Sequence, residues 1–146
     1  MRVVLLLSWM LFILALSLTN NFKELIHHGE IYFSFTINPY FTSFFTIYQM
    51  NSSTLIAQKV GLFFFFIILT AILVLCLKSF KMSWFIGFSY GLATEVIQPF
   101  FFRSGRILDV LINWSGVLVC LFILLVINQF LITLYPIWSS KVTEEV

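Results

Sequence analysis

Charge is scarce in this chain. Asp, Glu, Lys and Arg make up 10% of its 146 residues, against about 25% in an average soluble domain. The formal net charge is only +2 and the basic residues are scattered, which excludes the basic stripe that nucleic-acid binding requires. Histidine occurs only as the adjacent pair His27 and His28. Neighbouring side chains point to different sides of a helix or strand, so the pair with Glu30 does not make a metal ligand set. The two cysteines, Cys76 and Cys120, each lie inside an apolar run, the setting of small packing residues and not of a disulfide framework. No metal, no other cofactor and no nucleic-acid partner is expected.

Apolar side chains are abundant instead: 61% of the residues are hydrophobic and 19 are Phe. A single domain of this length has no interior large enough to hide them, so membrane lipids are their natural solvent. The fold class that follows is an all-α integral membrane protein, one domain over residues 1–146. Its apolar runs predict four transmembrane helices, at about residues 3–18, 54–77, 83–98 and 107–135. Ala15 and Ser17 form only a poor cleavage pattern, so the first run is read as a retained helix.

Residues 19–53 read as a polar, interfacial loop carrying Lys23, Glu24 and both histidines. The Phe and Tyr side chains within 31–48 suit the lipid–water boundary. Asn51, Ser52, Ser53 and Thr54 offer side-chain acceptors for the start of the second helix, and Asn51 heads a glycosylation-like triplet. Lys78 and Lys81 bracket a link of about five residues. Pro99 ends or kinks the third helix because it has no N–H to donate. At about 1.5 Å per residue that helix is shorter than the hydrocarbon core. The fourth is expected to stop near Pro136, with Trp138 as an interfacial anchor and 141–146 as a polar tail.

In this arrangement Arg2, Lys78, Lys81 and Lys141 fall on one side and Lys23, Lys59, Arg103 and Arg106 on the other. Lys23 sits in a long loop, which translocates largely regardless of charge, and the two arginines have acids nearby. The positive-inside rule then places both termini in the cytoplasm of a multi-pass cell-membrane protein.

Two of the six acidic residues, Glu95 and Asp109, fall in or against apolar segments. A charge near the middle of a membrane helix costs about 2.5–3.5 kcal/mol on insertion scales, so pairing, shallow placement or protonation must offset it. At 100° per residue Gly87, Gly91, Glu95 and Gln98 share one face of the third helix, and Arg106, Asp109, Asn113, Gly116 and Cys120 share one face of the fourth. Both faces are polar and small, which lets helix backbones approach closely in lipid. An antiparallel polar hairpin follows, with Glu95, Gln98, Asp109 and Asn113 near its turn, Arg103 and Arg106 at its mouth, and Gly87, Gly91 and Gly116 at the helix contact. Such a pocket can hold a carboxylate or phosphate in guanidinium forks oriented by the acids. The same residues can equally serve to lock helix packing and topology.

The run Glu95-Val-Ile-Gln98-Pro-Phe-Phe-Phe-Arg103-Ser-Gly-Arg106-Ile-Leu-Asp109-Val-Leu-Ile-Asn113-Trp-Ser-Gly116 resembles the signature of the VanZ-like family of bacterial membrane proteins: Glu and Gln before a turn, Arg in the turn, then Asp, Asn and Gly on the next helix. A second element, Lys59-Val-Gly-Leu62 followed by four Phe, is similar to the family's Lys, His and aromatic run. This makes Lys59 an accessory site residue, but Leu62 stands where the family usually has His. A proton-donating or anion-binding role of that His is therefore put in doubt. The resemblance covers about residues 51–125. It implies a cell-envelope protein that lowers susceptibility to teicoplanin-type lipoglycopeptides, with such a drug or an anionic lipid-linked envelope component as partner.

Three functional classes stay open: a non-enzymatic envelope protein, a membrane-embedded enzyme acting on a lipid phosphate or carboxylate, and a scaffold subunit of an envelope complex. The residues argue against the enzyme. Any catalysis would rest on two carboxylates and two arginines, and nothing basic is placed to activate Ser104.

Overall fold

The computed structural model describes the backbone of residues 1–19, 34–39, 41, 42, 44, 45 and 53–144, with their side chains except those of Thr54 and 133–144. The expectations for Lys23, Glu24, His27, His28, Glu30, Asn51 and Ser52, and for the side chains of Trp138 and Lys141, lie outside the described residues. Among the described residues there are four α-helices, one 3-10 turn and no strand. They are α1 (Arg2–Leu18), α2 (Ser53–Leu77), α3 (Phe80–Ile97) and α4 (Ile107–Glu144), with the 3-10 turn at Gln98–Phe101 following α3.

Consecutive helices run antiparallel. The Trp9 indole N–H of α1 donates to the Phe65 carbonyl of α2, and near the other ends of the two helices Cys76 Sγ lies 3.5 Å from the Arg2 carbonyl. Tyr90 OH of α3 donates to the Met10 carbonyl of α1, and the Trp114 indole of α4 donates to the Phe88 carbonyl of α3 while the two rings stack 4.7 Å apart. Each of these aromatic donors satisfies its own N–H or O–H while its ring fills space between helices.

Two helical stretches are long and apolar enough to cross a membrane, Leu55–Leu77 and Ile107–Ile132. Only 28% and 33% of their most apolar windows is buried inside the protein. A soluble core helix would be mostly buried; here Phe64, Leu75 and Phe122 are more than half exposed, which is favourable only against lipid. The helices α1 and α3, with 17 and 18 residues, are shorter.

Three boundaries differ from the sequence reading. The α2–α3 link has two residues, not about five, and α3 starts at Phe80, not at 83. Lys78 takes a left-handed φ of 52° and its N–H bonds the Val74 carbonyl, a helix C-cap usually made by Gly. Ser79 then caps α3 by accepting from the Met82 N–H. At the other end of α3 the α-helix stops at Ile97 and Pro99 enters the first positions of the 3-10 turn, where a missing N–H costs nothing. The fourth helix runs on to Glu144 and not to about 135: Pro136 forfeits one backbone bond, which kinks or weakens a helix without always ending it.

The described parts of the long loop, expected on the membrane surface, lie on the α3–α4 turn. The Thr36 N–H donates to Phe100 O, and Phe44 O accepts from the Ile107 N–H. Phe35 and Phe41 meet Phe101 and Phe100 edge to face. Backbone groups freed at the turn are more cheaply satisfied by the loop than left against lipid.

Candidate functional site

The close approach of α2, α3 and α4 is set by glycine. A Cβ on Gly87 would lie 3.2 Å from Val117, one on Gly91 3.2 Å from Phe66 and 3.3 Å from Asn113, and one on Gly116 2.6 Å from the Phe63 carbonyl oxygen. These contacts fix the register. Stepping one helical turn at a time toward the α3–α4 turn, the facing residues are Gly87, Thr70 and Val117; then Gly91, Phe66 and Asn113; then Glu95, Leu62 and Asp109; then Gln98, Lys59 and Arg106. The interior is mostly apolar in its first two layers, with Thr70 and Asn113 as the polar members, and mostly polar in its last two.

Glu95 is fully buried. Its Oε1 accepts from Gln98 Nε2 at 2.9 Å and its Oε2 from the Arg106 N–H at 3.2 Å. The second bond places the carboxylate at the N-terminus of α4, where unsatisfied N–H groups and the helix dipole favour an anion. Gly105 lets this happen, because any side chain there would collide with the Glu95 carbonyl. The left-handed Phe102, φ 53°, turns the chain back: its N–H and that of Arg103 both bond the Gln98 carbonyl.

Asp109 is 2% exposed in the first turn of α4, and its Oδ2 accepts from Lys59 Nζ of α2 at 2.5 Å. The sequence made Lys59 an accessory and Arg106 the natural neighbour; the structure brings the lysine directly onto the acid. Arg103, expected at the mouth beside Arg106, sends its Nη1 to the Leu16 and Thr19 carbonyls at 3.1 and 3.0 Å. It therefore closes the C-terminus of α1, where a cation meets the negative end of the dipole. Asn113 is 1% exposed, and neither Nδ2 nor Oδ1 has a hydrogen-bond partner. A buried carboxamide in that state is costly, which marks the layer between Phe66 and the Lys59–Asp109 pair as the place for a further polar group.

Residues 2–128 match the model of the VanZ/LLP1 family. The chain belongs to that family. Over 119 residues it is 31% identical to the uncharacterized membrane protein YwnJ of Bacillus subtilis (strain 168), a match that covers 80% of this chain and 85% of YwnJ. No solved structure matches.

In this VanZ/LLP1 chain the sequence-predicted residues Glu95, Gln98, Arg103, Arg106, Asp109 and Asn113 all lie at the turn end of the bundle, and Gly87, Gly91 and Gly116 lie at close helix contacts. Sequence reasoning passed over Gln58, Ser17, Thr19 and Thr94, which are buried polar residues. The antiparallel register of α1 and α2 puts Ser17 level with Gln58 and Lys59, and Thr94 precedes Glu95. A signal was present for Gln58: it adjoins Lys59, the one charged residue of its helix. Among the described residues no group of three His, Cys, Asp or Glu is placed to hold a metal ion.

Proposed function

We propose that this VanZ/LLP1 membrane protein acts in the cell envelope through an anion-binding pocket at the turn end of its bundle, and that it lowers susceptibility to teicoplanin-type lipoglycopeptides. The observation that carries the reading is the burial of Lys59, Asp109, Glu95, Gln98 and Asn113 together, with Arg103 and Arg106 beside them in the turn. Among the described residues three cations and two carboxylates meet in this cluster, which gives it the mixed charge that an acidic guest can enter. Arg106 supplies a planar two-donor edge suited to carboxylate or phosphate, and Asn113 adds a neutral donor and acceptor below it. The outcome in cells follows from location. Teicoplanin-type drugs carry an acyl chain, so a protein acting at the outer leaflet distinguishes them from non-lipidated relatives.

The proposed topology has four spans and cytoplasmic termini, with the α2–α3 link cytoplasmic and the α3–α4 turn outward. Support comes from Arg2, Lys78 and Lys81 at one end with no acid among the described side chains there. A Ser79→Cys variant in a Cys76→Ser, Cys120→Ser background should stay unlabelled by an impermeant thiol reagent in intact cells; labelling overturns the orientation.

Expression in a susceptible Gram-positive host is expected to raise the inhibitory concentration of teicoplanin more than that of vancomycin. Arg106→Ala should abolish the effect and Arg106→Lys should restore it only in part. Unchanged susceptibility to both drugs with well-expressed protein removes the resistance reading and leaves the family membership standing.

A further inference from the structure

The end of the bundle away from the α3–α4 turn carries a feature that the proposed pocket does not use. Here the small face of α3 ends in the buried Ser83, one turn before Gly87. Beyond Gly87 toward its start, α3 presents Phe85, Trp84 and Phe80, and α4 answers with Leu121 and Leu125. A groove of about 410 Å³ opens between the two helices, lined by these five residues and Lys81. Its wall is almost wholly apolar. The Trp84 and Phe85 side chains are half exposed, and the Trp84 ring packs against Phe88 at a tilt, 4.9 Å between centroids.

What covers such a groove is decided by charge. Lys81 stands at its rim, exposed; Lys78 lies three residues earlier in the two-residue link, also exposed. Arg2 is brought to the same end by the contact of its carbonyl with Cys76. Among the described side chains no acid lies at this end: Glu95 and Asp109 are both in the polar layers at the other end. Three cations with no counter-charge among the described side chains, beside an apolar groove, fit one kind of occupant, an acyl chain carrying an acidic headgroup. A zwitterionic lipid would bring a second cation toward the lysines.

We propose that this groove is a specific site for an anionic phospholipid, one acyl chain lying between α3 and α4 against Trp84 and Leu121 and the headgroup phosphate held by Lys81, with Lys78 beside it. The lysine stem extends the apolar wall while its ammonium reaches the phosphate. Occupation ties the start of α3 to the middle of α4.

Trp84 reports on the site directly. The full chain is reconstituted in vesicles containing increasing fractions of either brominated phosphatidylglycerol or brominated phosphatidylcholine, and tryptophan quenching is compared with that of the Trp84→Phe variant. The difference isolates Trp84, and the exposed position makes the substitution mild. The expected result is Trp84 quenching at an about fivefold lower fraction of the anionic lipid, the preference one surface lysine supplies. That preference should shrink at high salt and vanish in Lys81→Gln, a change of an exposed side chain that leaves the fold intact. Equal quenching by the two lipids overturns the proposal, as does a preference that survives Lys81→Gln combined with Lys78→Gln. Absence of Trp84 quenching by either lipid overturns it as well, since the groove is then covered by protein, such as a second copy.

Discussion

Toward one end of the bundle the interior is made of Ile13, Phe66, Leu69, Leu73, Val117 and Leu121; toward the other it is made of Glu95, Gln98, Lys59, Asp109 and Asn113. The same helices supply both, and their outer surfaces are equally greasy, with Phe64 and Phe122 exposed along the same helices that bury Lys59 and Asp109. In water this inversion would be untenable. In lipid an apolar side chain gains little by moving from the outside to the inside, so interior positions are open to groups that lipid cannot satisfy. The apolar half is therefore held by shape, and the polar half by hydrogen bonds and charge. The two halves should respond differently to the same kind of damage.

The largest contrast is expected from the Lys59–Asp109 pair, whose side chains are 11% and 3% exposed. Lys59→Met leaves Asp109 buried without this partner and should cost about 3–5 kcal/mol. Lys59→Met with Asp109→Leu should recover most of that loss, because an apolar pair of similar volume has no charge to compensate. Thermal and denaturant unfolding in detergent micelles measures both. If the double variant is no more stable than the single one, the pair is coupled to further groups and the polar half behaves as a network.

How much of this comparison could be read from the sequence depends on how far apart the participants are in the chain. Gly87, Gly91, Glu95 and Gln98 declare their common face through helical periodicity alone, as do Asp109, Asn113 and Gly116, so the polar hairpin was visible. The pairing of Lys59 with Asp109 was not, because it crosses 50 residues and depends on a register fixed by the contact of Gly116 with the Phe63 carbonyl. The assignment of Arg103 to α1 was hidden for the same reason: its partners are backbone carbonyls, Leu16 and Thr19, and a carbonyl leaves no trace in residue type. The two-residue link after α2 rests on Lys78 in a left-handed conformation, which its residue type does not advertise. The α3–α4 turn was legible from Pro99, but not the segment of the long loop that covers it.

Glycine substitutions test the shape term across both halves. Gly105→Ala should be the most damaging, since its new methyl group meets the Glu95 backbone. Gly116→Ala comes next, at 2.6 Å from a carbonyl oxygen. For Gly87→Ala the nearest atoms are the Val117 methyl groups at 3.2 Å, which a small side-chain adjustment accommodates. Losses of about 1–3 kcal/mol are expected for the first two. Gly61→Ala should be neutral or stabilising, because its nearest neighbour is 3.9 Å away and alanine favours the helix. A flat series, with Gly105 no worse than Gly61, would mean that the turn relaxes and that close approach does not fix the polar layers.

The smallest effect, and the sharpest comparison, is expected when a histidine is introduced at Leu62 and at Leu69. Both are buried leucines of α2, 4% and 0% exposed, separated by about two helical turns. The Leu69 side chain sits in the apolar cluster, and the neighbouring Thr70 hydroxyl is already committed to the Phe66 carbonyl, so Leu69→His buries an imidazole among apolar side chains and should cost several times the thermal energy, about 2 kcal/mol or more. At Leu62 the layer contains Glu95 and Asp109, with Asn113 one turn away. An imidazole there can donate to a carboxylate or accept from the Asn113 amide, and those bonds offset its desolvation. Leu62→His is therefore expected to change stability by less than about 1 kcal/mol. It should also strengthen any drug phenotype, since it restores the side chain usual in VanZ-like proteins. Equal losses at the two positions would show that the polar layers are closed to new hydrogen bonds. In that case Leu62 serves as packing between the acids, and the pocket would have to lie above it, among Lys59, Gln98 and Arg106.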